Sequence, residues 1–238
     1  MDSITLKPNA GGFTLLEMAL VCVVFSLLVG GLLAPLQNSR EQLNNRRAAI
    51  QLEETRAALL GYAAHHGHLP CPASATSQGV GLRTHEGCVQ YSGFLPLVDL
   101  GVTGAIDTAG LLLDPWSSPI RYSVSGRDGD LDGQADFVSA GGMRRAGFEH
   151  LAGDLQIEHW PGGTCDELQL RASRVVAVLY SDAENTYNSR AEEMNRAGGR
   201  RFASGAFSQS PNCGFDDQLV WLSDSTLFSA LLKARQLP

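Results

Sequence analysis

The chain has 238 residues, enough for one domain with an appendage or for two small domains. Its formal net charge of −7, from 18 basic and 25 acidic side chains, leaves no dominant basic patch and argues against a nucleic-acid partner. The 26 glycines exceed the usual ~7 % share and point to a loop-rich fold with many turns rather than a helical bundle.

The first twelve residues, MDSITLKPNAGG, are polar and end in two glycines. From Phe13 to Leu36 the chain reads FTLLEMALVCVVFSLLVGGLLAPL, an apolar run with one formal charge, Glu17. As a helix this run would extend about 36 Å at ~1.5 Å per residue, enough to cross a ~30 Å hydrocarbon core. Its apolar residues go all the way round, so a membrane-spanning helix is expected, with a buried core helix as the alternative. A secretory signal has the opposite order, with a basic start, an apolar stretch and then a small-residue cleavage site. An uncleaved membrane anchor is therefore the generic alternative to processing ahead of the helix. The flanking charges, Lys7 and the initiator amine against Arg40, Arg46 and Arg47, slightly favour the orientation that leaves the rest of the chain inside.

Glu17 is costly near the start of such a helix unless it is paired or reaches the interface. It lies about one turn beyond Phe13, where the helix dipole favours negative charge. Good helix formers continue from Gln37 to His66, with Leu43, Ile50, Leu52, Leu59, Leu60 and Tyr62 at three- and four-residue spacings. Pro35 and the pair Gly30-Gly31 are expected to bend this run rather than end it, and Gly67 followed by Pro70 to stop it.

Beyond the helix, strand-like runs occur at Pro119–Ser125, Ala135–Ser139, Leu155–Trp160, Val175–Ser181 and Gln218–Leu222, most of them separated by glycine-rich turns. Two short helices are expected. One lies around Asn185–Ala197; the other starts near Ser223 or Asp224, with Leu227, Phe228, Leu231 and Leu232 as its apolar face. The expected fold class is α+β, a long N-terminal helix packed through its second half on an antiparallel sheet.

The segment Gly12-Phe13-Thr14-Leu15-Leu16-Glu17 resembles the prepilin processing site of type IV pilins and type II secretion pseudopilins. The stretches LPCPA (Leu69–Ala73), GFLPLVDLGV (Gly93–Val102), DPWSSPIRYSV (Asp114–Val124) and the ending DDQLVWLSDSTLF are similar to a bacterial group of prepilin-type proteins. Ser117 stands where pseudopilins usually have glycine after the tryptophan, so no tight turn is expected there. The resemblance implies cleavage between Gly12 and Phe13 by a prepilin peptidase, which also methylates the new amine of Phe13. It further implies that Glu17 meets the N-terminal amine of a neighbouring subunit; a snorkelling interfacial carboxylate is the alternative. The chain then divides into a leader (1–12), a transmembrane assembly helix (13–36), its continuation into the periplasm (37–66) and a globular periplasmic domain (67–238). The implied partners are the processing peptidase, other pilin or pseudopilin subunits and the inner membrane, with a surface or periplasmic filament after assembly.

On that topology Cys22 lies in the membrane helix, and Cys71, Cys88, Cys165 and Cys213 lie in an oxidising compartment. Three pairings are open, and sequence proximity favours Cys71–Cys88 with Cys165–Cys213; closing the shorter loop would contribute roughly 3 kcal/mol. The acidic run Asp128, Asp130, Asp132, Gly133 and Asp136 matches the first half of a calcium loop, with Ser139 in place of the closing glutamate. Some pseudopilins bind calcium in an acidic loop, and a solvated acidic turn is the equal alternative. His65, His66 and His68 suit a helix C-terminus better than a metal.

No G-x-S-x-G, H-E-x-x-H or glycine-rich phosphate loop occurs. The expected function is a minor structural or assembly subunit of a type IV pilus or related pseudopilus, not an enzyme. A type II secretion pseudopilin is the alternative within the family, and a membrane-anchored periplasmic enzyme the alternative of another class.

Overall fold

A computed structural model describes residues 14–160, 167–184, 187–210 and 213–237, without the side chains of 29–39. The chain divides into two compact units, Met1–Asn44 and Asn45–Pro238. Helix α1 (Leu15–His66) begins in the first unit and ends in the second. Thr14 opens it, its hydroxyl accepting the Glu17 N–H at 3.2 Å, as an N-terminal cap does. Among the described residues no helix is long and apolar enough to cross a membrane. The span expected at 13–36 includes residue 13 and the side chains of 29–36, which lie outside the described set.

In the second unit one face of α1 carries Ala48, Leu52, Thr55, Leu59 and Ala63, all 1 % exposed or less and spaced by three or four residues. Leu43 and Ile50, expected from the same pattern to face inward, are 50 % and 60 % exposed. They lie off this stripe, which small and hydroxylated residues complete instead. The Thr55 hydroxyl is satisfied by the Gln51 carbonyl at 2.7 Å, so its burial leaves no orphaned donor.

The sheet comprises β1 (Ser92–Phe94), β2 (Arg121–Val124), β3 (Leu155–Trp160), β4 (Gln169–Ser181), β5 (Arg201–Gly205) and β6 (Gln218–Ser223). Its order is β1-β2-β4-β3-β5, with β6 also pairing with β4. The first half of β4 pairs with β3, while its second half pairs with both β2 and β6. All pairings are antiparallel except β3 with β5, which corrects the expectation of a purely antiparallel sheet. The long connection from β3 to β5, through β4 and a helix, is what allows parallel pairing.

The inner half of β4 shows why its run is continuously apolar: both of its faces are covered. Ala177 and Leu179 join the α1 side with Tyr122, Val124, Leu222, Leu227 and Leu231. Val178 and Tyr180 pack on the other side with Leu155, Ile157 and Phe202. A register shift between Val175 and Ala177 brings the consecutive residues Val176 and Ala177 into the same cluster, the effect of a bulge.

Among the described residues the unit has four further helices: α2 (Leu97–Leu100), α3 (Gly142–His150), α4 (Arg190–Arg196) and α5 (Asp224–Lys233). Ser223 caps α5 by accepting the Thr226 N–H, and Ser189 caps α4 by accepting the Glu192 N–H. The helix expected at Asn185–Ala197 is thus shorter, and residues 185 and 186 lie outside the described set. Ala135–Ser139 is not a strand. Val138 and Ser139 both donate to the Ala135 carbonyl, closing a helical turn, and Asp136, Phe137, Val138 and Ser139 are all buried, so no two-residue alternation operates there.

A tight turn does form after Asp114. Ser117 takes φ 70°, and Asp114 Oδ1 accepts the N–H groups of Trp116 (2.9 Å) and Ser118 (2.8 Å). The aspartate side chain organises the turn that glycine was expected to be needed for.

Candidate functional site

The N-terminal site is visible from Thr14 onward; Gly12 and Phe13 lie outside the described residues. Glu17 is exposed in the first turn of α1, where its charge complements the unpaired N–H groups of the helix start. Around it Leu15 is 89 % exposed and Leu16 80 %, and Leu20, Phe25, Leu27 and Leu28 are exposed further along the helix. Cys22 is a free, exposed thiol, and the Ser26 hydroxyl satisfies itself on the Cys22 carbonyl at 2.7 Å. This surface is apolar on every side and gains nothing from water. It suits a lipid or protein environment.

The second site is the acidic turn between β2 and α3. Asp128 folds over it, its two carboxylate oxygens accepting the N–H groups of Asp132 (3.1 Å) and Gly133 (2.9 Å). Gly133 sits at φ 84°, the left-handed geometry for which glycine is the usual choice. Carboxylate oxygens of Asp128, Asp130 and Asp136 lie within 4.8 Å of one another. Asp132 does not join them. Its carboxylate pairs with Arg145 Nε at 2.9 Å and accepts the Gln134 N–H, and these contacts hold its carboxyl below the ordinary range.

Asp136 is 1 % exposed, its Oδ2 accepting the Gly129 N–H at 2.8 Å. Burial, helped by the charges of Asp130, Asp128 and Asp132, pushes its carboxyl up to about 6. The buried arm carrying Asp136 is fastened from behind. Ala135 donates to the Glu86 carbonyl, Leu69 donates to the Phe137 carbonyl, and Arg83 donates to the Val138 carbonyl. Cys71 and Cys88, joined by a disulfide, close the loop that presents Arg83 and Glu86. Cys213 is also disulfide-bonded; Cys165 lies outside the described residues.

The histidines at the end of α1 make other contacts. His68 Nδ1 lies 3.0 Å from Arg83 Nη2 and 3.0 Å from the Leu69 carbonyl oxygen, between a donor and an acceptor. Burial, with Arg83 adding to it, lowers the His68 pKa. His66 instead stacks on Tyr62 at 4.2 Å.

Sequence reasoning missed a third group. Glu192 from α4 and Asp216 and Asp217 from the approach to β6 bring carboxylate oxygens within 4.8 Å of one another. Glu192 is 1 % exposed and Asp217 8 %. Asn195, fully buried, donates to Asp217 Oδ2 at 2.7 Å and braces β5 by accepting the Ala203 N–H. The signal available in advance was Ser189-x-x-Glu192, a capping-box pattern whose glutamate reaches the Asp216 N–H here.

Residues 7–33 match the prokaryotic N-terminal methylation motif. Comparison with curated proteins and with solved structures returns no match.

Proposed function

From its prepilin-type N-terminal methylation motif, the hallmark of type IV pilin and pseudopilin proteins, we propose that this chain is a minor pilin-like subunit of a type IV pilus or related pseudopilus. The motif implies a membrane-anchored protein of the cell envelope, processed by a prepilin peptidase and assembled with other pilin-type subunits. The motif match at residues 7–33 carries this reading. The exposed apolar surface of α1 from Leu15 to Leu28 supports it, since that surface needs lipid before assembly and neighbouring helices after it.

In this reading the peptidase cuts after Gly12 and methylates Phe13, and residues 13–36 hold the subunit in the inner membrane. Glu17 then pairs with the N-terminal amine of an adjacent subunit. In a low-dielectric environment such a pair fixes register, because an unpaired carboxylate there is costly. Mass analysis of the mature chain should find it beginning at methylated Phe13. Glu17→Ala should leave it membrane-bound and processed but absent from co-purified filaments. An intact Met1, or normal incorporation of the Glu17→Ala protein, would overturn the reading.

The Asp128–Asp136 turn is assigned calcium as its ligand, because three convergent carboxylates are the donor chemistry that a hard cation takes. Asp128, Asp130 and Asp136 would supply the carboxylates. The raised Asp136 pKa adds a pH signature: its protonated form competes with the cation. Calorimetric titration should show affinity about tenfold weaker at pH 5 than at pH 7.5, and little change on Asp132→Asn. No heat and no thermal shift with millimolar calcium would remove the metal.

A further inference from the structure

The buried carboxyls between α4 and the start of β6 have too few cations around them to be ionised together. Four face one another: Glu192 from α4, Asp216 and Asp217 before β6, and Asp182 at the end of β4. Among the described residues two arginines answer them. Arg196 Nη2 is 3.8 Å from Glu192 Oε2, and Arg121 Nε from β2 is 3.2 Å from Asp182 Oδ2. Asp114, hydrogen-bonded to Ser181, adds a further acidic group near Asp182. The neutral groups on the remaining sides are Asn195 and Tyr180, whose hydroxyl donates to the Asn195 carbonyl at 2.7 Å.

Carboxylate oxygens of Glu192, Asp216 and Asp217 lie within 4.8 Å of one another, and Glu192 Oε2 is buried with no hydrogen-bond partner. Two buried carboxylates this close, with few cations beside them, repel each other, and a proton held between them removes that cost. The same glutamate accepts the Asp216 N–H at 3.1 Å, which already ties α4 to the segment entering β6. We propose that Glu192 and Asp216 share a proton that fastens α4 to the segment entering β6, making this end of the domain a pH-sensitive latch. The inference goes beyond the filament reading and does not depend on it.

The direction of the effect follows from the environment. Burial first, then the bond to Asp216 and the charge of Asp217, pushes Glu192 up to about 8, and burial pushes Asp217 up to about 7. Both are raised above their unfolded values. The latch is therefore strongest below about pH 4.5 and weakens as the pH rises through 7 to 8. Loss of the proton leaves adjacent buried charges that repel α4 from its seat.

The test uses the full-length chain in detergent micelles, followed by thermal unfolding and by amide exchange of residues 190–205, corrected for intrinsic rate, between pH 5.5 and 8.5. The wild-type melting temperature should fall by several degrees across this range, and α4 exchange should rise at least about tenfold. Glu192→Gln, whose amide donates as the protonated acid does, should remove most of this dependence. Should that variant not fold, Asp217→Asn takes its place, with the midpoint expected to move to lower pH. Unchanged profiles in either variant overturn the latch. So does millimolar calcium at pH 8.5 that restores α4 protection in the wild type but not in Glu192→Gln, because the trio would then hold a cation in place of a proton.

Discussion

The two ends of α1 use similar residues for opposite purposes. From Leu15 to Leu28 the large apolar side chains stand exposed, with Leu20 at 63 %. From Ala48 to Ala63 one narrow stripe is buried, with Leu59 at 0 %. The first segment is apolar all round and the second is apolar on one face, with Glu53, Glu54 and Arg56 turned outward. A stripe fits one flat partner, here a sheet; an all-round apolar surface requires an environment that surrounds it. One end of the helix therefore contributes to the stability of the domain, and the other, in the function proposed here, to its placement.

Truncations along α1 test this division. Leu59→Ala should cost the most, about 2–5 kcal/mol by chemical denaturation, because it opens a cavity in the core cluster that Leu59 shares with Leu179 and Leu231. Asn45, the first residue of the second unit, accepts a 2.6 Å hydrogen bond from Gln218 Nε2. Asn45→Ala should cost about 1 kcal/mol in the same measurement. Leu20→Ala should stay within about 0.5 kcal/mol. If Leu20→Ala destabilised the domain as much as Leu59→Ala, the two ends would not be doing different work. The Glu17→Ala outcome sharpens the contrast, since assembly should fail there while unfolding stays unchanged.

Elements with strong local signals were legible in the sequence. The start of α5 was readable because Ser223 is a capping side chain ahead of an apolar face. β3 was found at its full extent because Leu155–Trp160 is bounded by Gly153 and Gly162 and carries β-formers. The Ala135–Ser139 turn was misread as a strand because burial on all sides looks the same in sequence whether the backbone is extended or coiled. β1 and β5, Ser92–Phe94 and Arg201–Gly205, are short and glycine-bearing. Their pairing is dictated by the strands beside them rather than by their own residues.

The sites divide in the same way. The acidic turn was visible because its aspartates alternate over nine residues, and a local turn is enough to gather them. Even there the sequence could not separate Asp132 from its neighbours, because Arg145, thirteen residues away, removes it from the group. Glu192, Asp216 and Asp217 were invisible as a cluster, since Glu192 lies 24 residues from Asp216 and only the fold brings them together.

By itself the sequence determined the long helix, its apolar first segment and its processing motif, because each depends on residues adjacent in the chain. Only the tertiary structure decided which carboxyls meet, how deeply they are buried, and which face of α1 is covered. Those outcomes depend on charge and volume brought close across many residues, where desolvation outweighs local preference.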